Sequence, residues 1–136
     1  MGHGERILLV EDEEIVRSYA RSALTRNGYV VYAAGTAEEA LAIFEDESGN
    51  FQLAFIDIVL PDKSGISLCE ELLSRSPHLN VLLTSGFTEE KTRLEELNRM
   101  GVPFLRKPYE LSALLRTINE SLEKVLIPLQ SRKRYL

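Results

Sequence analysis

The chain has 136 residues, of which 44% are hydrophobic and 27% charged, and this balance predicts one soluble globular domain and excludes a disordered chain. Its net charge of −5 disfavours direct binding to nucleic acid, and no apolar run is as long as a membrane span, so we expect no membrane contact. The single cysteine, Cys69, cannot form an internal disulfide, and no signal peptide opens the sequence, which together predict a cytoplasmic location.

Strand and helix patterns alternate through the first half of the chain. Residues 6–10 form an apolar run that predicts a buried strand, and apolar residues then recur at helical spacing from Ile15 to Leu24. A second strand is predicted at 29–34, and a capping-box sequence at 36–39 predicts the start of a second helix. The third strand begins at Leu53, and its apolar run is broken by a proline and turn residues.

The second half repeats this pattern. Helices are predicted at 65–75, 88–100 and 110–125, and strands at 80–84 and 102–106. Five strands alternating with five helices predict a parallel sheet covered on both faces, because parallel neighbours need helical crossovers. We interpret residues 1–4 as a leader or cloning remnant and residues 127–136 as a tail or linker, which leaves one domain at 5–126.

Polar side chains that can take part in chemistry follow four of the five predicted strands. They are Glu11 and Asp12 after the first strand, Asp57 at the end of the third, Thr84 and Ser85 at the end of the fourth, and Lys107 after the fifth. The carboxyl ends of parallel strands meet at one edge of a sheet, which is where open α/β folds bind their ligands. We therefore expect these groups to converge, although they are far apart in the sequence.

This set of groups is suited to phosphoryl transfer. Three carboxylates that lie close together repel one another unless a cation sits between them, and carboxylate oxygens are ligands that suit Mg²⁺. Lys107 would add positive charge for an anionic oxygen and Ser85 would add a hydroxyl, which are the groups that stabilise a transferring phosphoryl group. Asp57 is predicted to be the nucleophile and to form an acyl phosphate.

Four motifs carry a resemblance to a known family. They are Val10-Glu11-Asp12-Glu13, then Asp57 with Leu60-Pro61-Asp62-Lys63-Ser64-Gly65, then Thr84-Ser85-Gly86, and finally Phe104-Leu105-Arg106-Lys107-Pro108. In this order and on these elements they resemble the receiver domain of two-component response regulators over residues 5–126. Residues 85–87 and 107–109 look most like receivers fused to hybrid histidine kinases. The resemblance implies a flavodoxin-like three-layer α/β/α sandwich with strand order 2-1-3-4-5.

The resemblance also implies a role for each acidic residue. Asp57 would accept a phosphoryl group from the phosphohistidine of a histidine kinase or phosphotransfer protein. Asp12 would bind Mg²⁺ directly, Glu11 would bind it mostly through a water molecule, and Asp57 with the carbonyl of Val59 would complete the protein ligands. Glu11 departs from the family pattern, in which Asp is commoner, but its longer side chain should still reach a metal-bound water.

Further residues would respond to the phosphate. Lys107 would pair with it, and the Ser85 hydroxyl would bond one of its oxygens and move toward it. Thr84 makes the register ambiguous, although the small Gly86 favours Ser85. Phe104, which stands where Tyr is commoner, would be the aromatic residue whose rotamer reports the movement. Phosphorylation would thereby switch a partner-binding surface on the fourth and fifth predicted helices.

The sequence leaves functional alternatives open. The fold could serve as a phosphorylation-independent interaction module, although the acidic residues and Lys107 disfavour this. A phosphatase of the haloacid dehalogenase type is disfavoured because Val59 stands where a second Asp is needed. A receiver would catalyse its own phosphorylation and dephosphorylation, while the activity of any parent protein stays open. The downstream effector or attached output domain, and a homodimer through the fourth and fifth predicted helices, stay open too.

Overall fold

The computed structural model describes residues 2–86 and 101–123, which form a parallel sheet with helices on both faces. Its strands are β1 (Arg6–Val10), β2 (Val30–Ala34), β3 (Leu53–Asp57), β4 (Asn80–Ser85) and β5 (Phe104–Arg106). The helices within these residues are α1 (Glu14–Arg26), α2 (Ala37–Asp46), α3 (Gly65–Arg75) and α4 (Leu111–Glu123). The strand order β2-β1-β3-β4-β5 confirms the flavodoxin-like order expected from the sequence.

The predicted and observed bounds agree closely within the described ranges. β1 and α3 have the expected limits, whereas β5 begins at Phe104 and not at Val102, because Pro103 has no amide hydrogen to donate to a neighbouring strand. The helix predicted at 88–100 and the tail at 127–136 lie outside the described residues. Within the described ranges, no helix is long and apolar enough to cross a membrane.

The two faces of the sheet support separate hydrophobic cores. Phe44 of α2 and Leu72 of α3 are buried against one face. Leu24 of α1 and Ile118 of α4 are buried against the other. Helices on both faces explain why the central strands are almost continuously apolar and show no alternation. The layers therefore leave the two ends of the sheet as the places where polar groups can collect.

Helix α1 buries fewer of its apolar residues than its spacing suggests. Ala20, Ala23 and Leu24 are buried, but Ile15 is 86% exposed and Tyr19 is 47% exposed. Ile15 and Tyr19 are one turn apart and lie outside the stripe formed by the three buried residues. The start of α1 therefore presents an apolar surface near the carboxyl ends of the strands.

The first residues of the chain lie against the end of α1. The Gly2 amide donates to the Asn27 carbonyl at 2.6 Å, and the Gly4 amide donates to the Gly28 carbonyl at 2.8 Å. Gly28 has a φ of 92°, a left-handed conformation that glycine adopts without strain. The described part of the predicted leader is thus hydrogen-bonded to the domain.

Candidate functional site

The carboxyl ends of β1 and β3 bring three acidic residues together. Glu11 follows β1 and is 2% exposed, Asp57 ends β3 and is 4% exposed, and Asp12 is open to solvent. One carboxylate oxygen from each residue lies within 4.8 Å of the other two. The direct pairing of β1 with β3 produces this cluster, because it places the ends of the two strands side by side.

Lys107 neutralises part of this cluster. Its Nζ lies 2.6 Å from Glu11 Oε1 and 2.7 Å from Asp57 Oδ2. Its backbone amide donates to the carbonyl of Ser85 at 3.0 Å, so the pairing of β4 with β5 fixes the base of the side chain. The lysine side chain is only 12% exposed, and solvent therefore screens these ion pairs weakly.

Burial and ion pairing act on these charges in opposite directions. Burial raises the pKa of Glu11 to about 7, although hydrogen bonds from Lys107 and from the amide of Glu13 counteract part of the rise. Burial alone would lower the pKa of Lys107, but its hydrogen bonds to Asp57 and Glu11 prevail and raise it. Lys107 is therefore charged near neutral pH, while the Glu11 carboxyl titrates in that range.

The loop after β3 orients the Asp57 carboxylate. The amide of Val59 donates to Asp57 Oδ1 at 3.0 Å, which leaves Oδ2 for Lys107. The loop ends where the Gly65 amide donates to the Ile58 carbonyl at 2.7 Å. A Cβ atom at Gly65 would collide with the backbone carbonyl of Asp57, so only glycine lets α3 begin this close to β3.

Two hydroxyl residues lie at the end of β4. Thr84 is the register partner of Asp57, and its buried Oγ1 has no hydrogen-bond partner among the residues described. Ser85 is the last residue of the strand and is also buried. The structure therefore brings both residues to the edge that carries Asp57, and the phosphate contact of Ser85 stays a prediction.

The two remaining predicted site residues, Val59 and Phe104, differ in their distance along the chain from Asp57 and in their exposure. Val59 lies two residues after Asp57, with its side chain 43% exposed. Phe104 starts β5, where it is the register partner of Leu83, and it packs on the core under α2 and α3. Phe104 is half-buried, and its predicted switching role stays a prediction.

Two further residues near the cluster were not predicted to take part in the site. Glu13 Oε1 lies 3.5 Å from Lys107 Nζ, and the Glu13 amide donates to Glu11 Oε2 at 3.1 Å. Arg17 Nη1 donates to the carbonyl of Glu11 at 2.8 Å. In the sequence Glu13 is one of four consecutive acids that suit a helix N-terminus. The sequence did place Arg17 in the first turn of the helix that follows Glu11, and this position indicates that its side chain could reach the loop between β1 and α1.

An open groove of about 520 Å³ lies beside Lys107. Ile15 and Tyr19 of α1 line one side, and Tyr109 lines another. The Tyr109 ring packs on Phe55 with centroids 5.9 Å apart, and burial raises the pKa of the tyrosine to about 12. The acidic cluster therefore borders a surface that is mostly apolar.

The donor set of the cluster fits a hard divalent cation. Three carboxylates and one ammonium leave two negative charges at the edge of the sheet when all four groups are ionised. Carboxylate oxygens that converge from separate loops suit a cation that binds through few protein groups and retains water. Glu11, Asp12 and Asp57 can therefore hold a metal ion, in agreement with the expectation from the sequence.

The sequence of the chain identifies its family. Residues 7–119 match the response regulator receiver domain, and the chain belongs to this family. The sensor kinase CckA of Brucella abortus (strain 2308) is 36% identical over 118 residues, which are 87% of this chain and 12% of that protein. The response regulator RppA of Synechocystis sp. is 33% identical over 110 residues, which are 81% of this chain and 47% of that protein. The chain thus spans less than half the length of either relative.

Solved structures agree with this assignment. A CheY-like response regulator receiver domain protein from Methanospirillum hungatei JF-1 has a TM-score of 0.81 and 32% identity, covering 90% of this chain and 96% of that one. The receiver domain of the hybrid histidine kinase CckA has a TM-score of 0.73 and 33% identity, covering 86% and 98%. The response regulator TrrA from Thermotoga maritima, in complex with Mg²⁺-BeF, has a TM-score of 0.75 and 25% identity, covering 86% and 98%. The chain is a receiver domain of two-component signal transduction.

Proposed function

We propose that Asp57 accepts a phosphoryl group from a phosphohistidine in a Mg²⁺-dependent reaction, and that the phosphate then alters a partner-binding surface. The observation that supports this most strongly is the contact of Lys107 Nζ with both Glu11 and Asp57 in a cluster that also contains Asp12. A buried carboxylate with a purely structural role needs only one positive or hydrogen-bonding partner. Here three carboxylates share a single lysine at an accessible edge of the sheet, and the unbalanced negative charge indicates a functional site.

The transfer step needs an oriented nucleophile. One carboxylate oxygen of Asp57 would form the new O–P bond while the N–P bond of the phosphohistidine breaks and its electron pair returns to the imidazole. The Val59 amide and the Lys107 ammonium each hold one oxygen of this carboxylate. Both donors are fixed by neighbouring strands or loops, so the carboxylate is oriented before the phosphoryl donor arrives.

The residues around Asp57 would stabilise the phosphoryl group. The Lys107 ammonium would pair with the Asp57 carboxylate before transfer and with the phosphoryl oxygens after it. The Ser85 hydroxyl would donate a hydrogen bond to one of these oxygens. Glu11, Asp12, Asp57 and the Val59 carbonyl would hold Mg²⁺, which when bound supplies positive charge to the same oxygens. The fold shared with TrrA, which was solved with Mg²⁺-BeF, supports this choice of metal.

A second protein would deliver the phosphoryl group. We propose a histidine kinase or phosphotransfer protein as the donor, docked on the apolar surface formed by Ile15 and Tyr19 beside Lys107. Ile15→Ser should then slow transfer from a phosphotransfer domain charged with phosphoramidate but leave the reaction with acetyl phosphate unchanged. Equal slowing in both reactions would contradict docking at Ile15.

The context of the domain is part of the same proposal. The similarity to CckA supports a role as the receiver of a hybrid sensor histidine kinase, with residues 5–126 as the receiver and an output supplied by another domain or protein. We propose a cytoplasmic location, in keeping with the single buried thiol of Cys69. The homodimer predicted through the fourth and fifth predicted helices stays a prediction, because one of those helices lies outside the described residues.

The proposal is tested by intact mass after incubation with acetyl phosphate, with and without Mg²⁺, for the wild type and Asp57→Asn. We expect the wild type to gain one phosphoryl group in the presence of Mg²⁺, in a bond that hydroxylamine cleaves, and the variant to gain none. Absence of the gain, together with absence of Mg²⁺ binding by calorimetry, would favour the phosphorylation-independent interaction module instead.

A further inference from the structure

The carboxylate of Asp62 connects the phosphoacceptor loop to the start of α2, a helix that packs on the same face of the sheet as α3. Asp62 lies in the loop between β3 and α3, and its Oδ1 accepts the amide of Ala37 at 2.9 Å while its Oδ2 accepts the amide of Glu38 at 2.8 Å. These partners are the first two residues of α2 and precede Asp62 by 25 and 24 residues. Oδ1 also accepts the amide of Lys63 at 3.1 Å within its own loop.

Helix α2 does not depend on Asp62 alone for its N-terminus. The hydroxyl of Thr36, its N-cap residue, accepts the third amide of the helix, that of Glu39, at 3.0 Å. Asp62 accepts the two amides before it, which would otherwise be free. The hydrogen bonds from Ala37 and Glu38 hold the pKa of Asp62 below its usual range, so the residue is charged near neutral pH. A charged carboxylate at a helix N-terminus makes stronger hydrogen bonds than a neutral acceptor.

The segment between Asp57 and Asp62 is anchored at several points. Ile58 and Leu60 are buried, whereas Val59 between them is exposed. The Val59 amide is nevertheless fixed in direction, because it donates to Asp57 Oδ1. Asp62 holds the far end of this segment, since its two bonds to α2 prevent the loop from moving away from the sheet edge.

We propose that Asp62 is a positioning residue for the phosphoacceptor: by bonding the start of α2, it fixes the loop whose Val59 amide orients the Asp57 carboxylate. Without this connection, the Val59 amide would no longer be held in hydrogen-bonding position to Asp57 Oδ1, and the Asp57 carboxylate would sample other orientations. A displacement of about 1 Å in a reacting group can slow a reaction by up to about 100-fold. The kinetic part of this inference rests on the proposed function of Asp57, but the fixing of the Val59 amide does not.

The simplest competing explanation is that Asp62 is only a cap for α2. Thr36 provides a matched control for it, because Thr36→Val removes a cap from the same helix without touching the phosphoacceptor loop. The variants to compare are Asp62→Ala, Asp62→Asn and Thr36→Val. Asn keeps one accepting oxygen of the two, so Asp62→Asn should give an intermediate effect and also serves if Asp62→Ala fails to fold.

Two measurements separate a positioning role from a capping role. The first is the rate of phosphoryl incorporation from acetyl phosphate at saturating Mg²⁺, which we expect to fall at least about fivefold in Asp62→Ala and to stay within about twofold in Thr36→Val. The second is hydrogen exchange of the Val59 amide by NMR, which we expect to accelerate in Asp62→Ala and to stay unchanged in Thr36→Val.

Several results would overturn the positioning role. One is a rate in Asp62→Ala within about twofold of the wild type, and another is an equal loss in Thr36→Val. Unchanged exchange of the Val59 amide in Asp62→Ala would also contradict it. If the wild type itself gained no phosphoryl group and bound no Mg²⁺, the proposed function would fail, and the exchange measurement alone would decide the role of Asp62.

Discussion

Lys107 and Asp57 form an ion pair of 2.7 Å between two strand ends that are not neighbours, because β4 lies between β3 and β5. The same Nζ reaches Glu11 after β1, so a single lysine neutralises charge from the ends of two other strands. Each carboxylate is almost fully buried and would be costly to keep ionised without this partner. The lysine thus offsets part of the cost of burying two carboxylates before any metal or phosphate binds.

Lys107→Met should destabilise the protein in EDTA at pH 8. Removing one partner of a buried ion pair leaves an uncompensated charge, and we expect a loss of about 3 kcal/mol in the free energy of unfolding. Saturating Mg²⁺ should restore part of this loss by supplying positive charge to the same carboxylates. Urea unfolding with and without Mg²⁺ measures both effects.

Lys63→Met is the matched control for that variant. Lys63 Nζ pairs with Glu71 at 3.0 Å, but the lysine side chain is 38% exposed. A surface pair of this kind should contribute less than about 1 kcal/mol. Equal destabilisation of the Lys63 and Lys107 variants would contradict the account of the buried cluster.

Glu11 should make the metal-free protein less stable as the pH rises toward neutrality. Its pKa is about 7 in the folded protein against an ordinary value of 4.5, so between these values the folded state binds more protons than the unfolded state. The free energy of unfolding then decreases with rising pH, by at most about 3 kcal/mol from this group. Urea unfolding in EDTA at pH 5 and pH 8 measures the change, and Glu11→Gln should remove this component. An identical pH dependence in the variant would show that Glu11 does not titrate in this range.

The two hydroxyl residues at the end of β4 should respond differently to substitution. Thr84→Val keeps the shape of the side chain and removes a buried hydroxyl that has no partner among the described residues. Stability should therefore be unchanged or rise by about 1 kcal/mol, with phosphorylation retained. Ser85→Ala should slow phosphorylation of Asp57 by acetyl phosphate. The reverse pattern would assign the phosphate contact to Thr84.

Gly65→Ala should impair both folding and phosphorylation. The added Cβ would meet the backbone carbonyl of Asp57, so the start of α3 or the end of β3 must move, at a cost of about 2 kcal/mol or more. Gly86→Ala is the matched control, because the nearest described atom to its Cβ would be Lys107 Cβ at an ordinary 3.7 Å. Thermal unfolding and the rate of phosphorylation by acetyl phosphate measure both effects. Normal stability of Gly65→Ala would contradict the close contact.

The alternation of strands and helices in the sequence predicted a parallel sheet and the convergence of its strand ends. The strand order was predicted only through the resemblance to receiver domains. The sequence did not predict that adjacent acids differ in burial, with Glu11 at 2% exposure and Asp12 open to solvent. That difference depends on Lys107, which is distant in sequence and becomes a neighbour only when β5 joins the sheet. Periodicity alone also placed Ile15 with the apolar residues of α1, although its side chain faces solvent.

The role of Asp62 was equally hidden in the sequence. In the chain it is one of several residues that are typical of a turn, and no local pattern connects it to α2. Its partners Ala37 and Glu38 offer only backbone amides, which carry no side-chain signal. Contacts of this kind depend on how two loops pack together at the edge of the sheet. No spacing of residues within a single sequence indicates such packing.

The most direct test of the central claim locates the phosphoryl group at a single residue of the unmodified chain. After incubation with acetyl phosphate and Mg²⁺, reduction with sodium borohydride converts a phosphorylated aspartate to homoserine, which peptide mass spectrometry identifies. We predict homoserine at position 57 and at no other aspartate, and only in samples that contained Mg²⁺. Homoserine at another position, or at position 57 equally without Mg²⁺, would contradict the account.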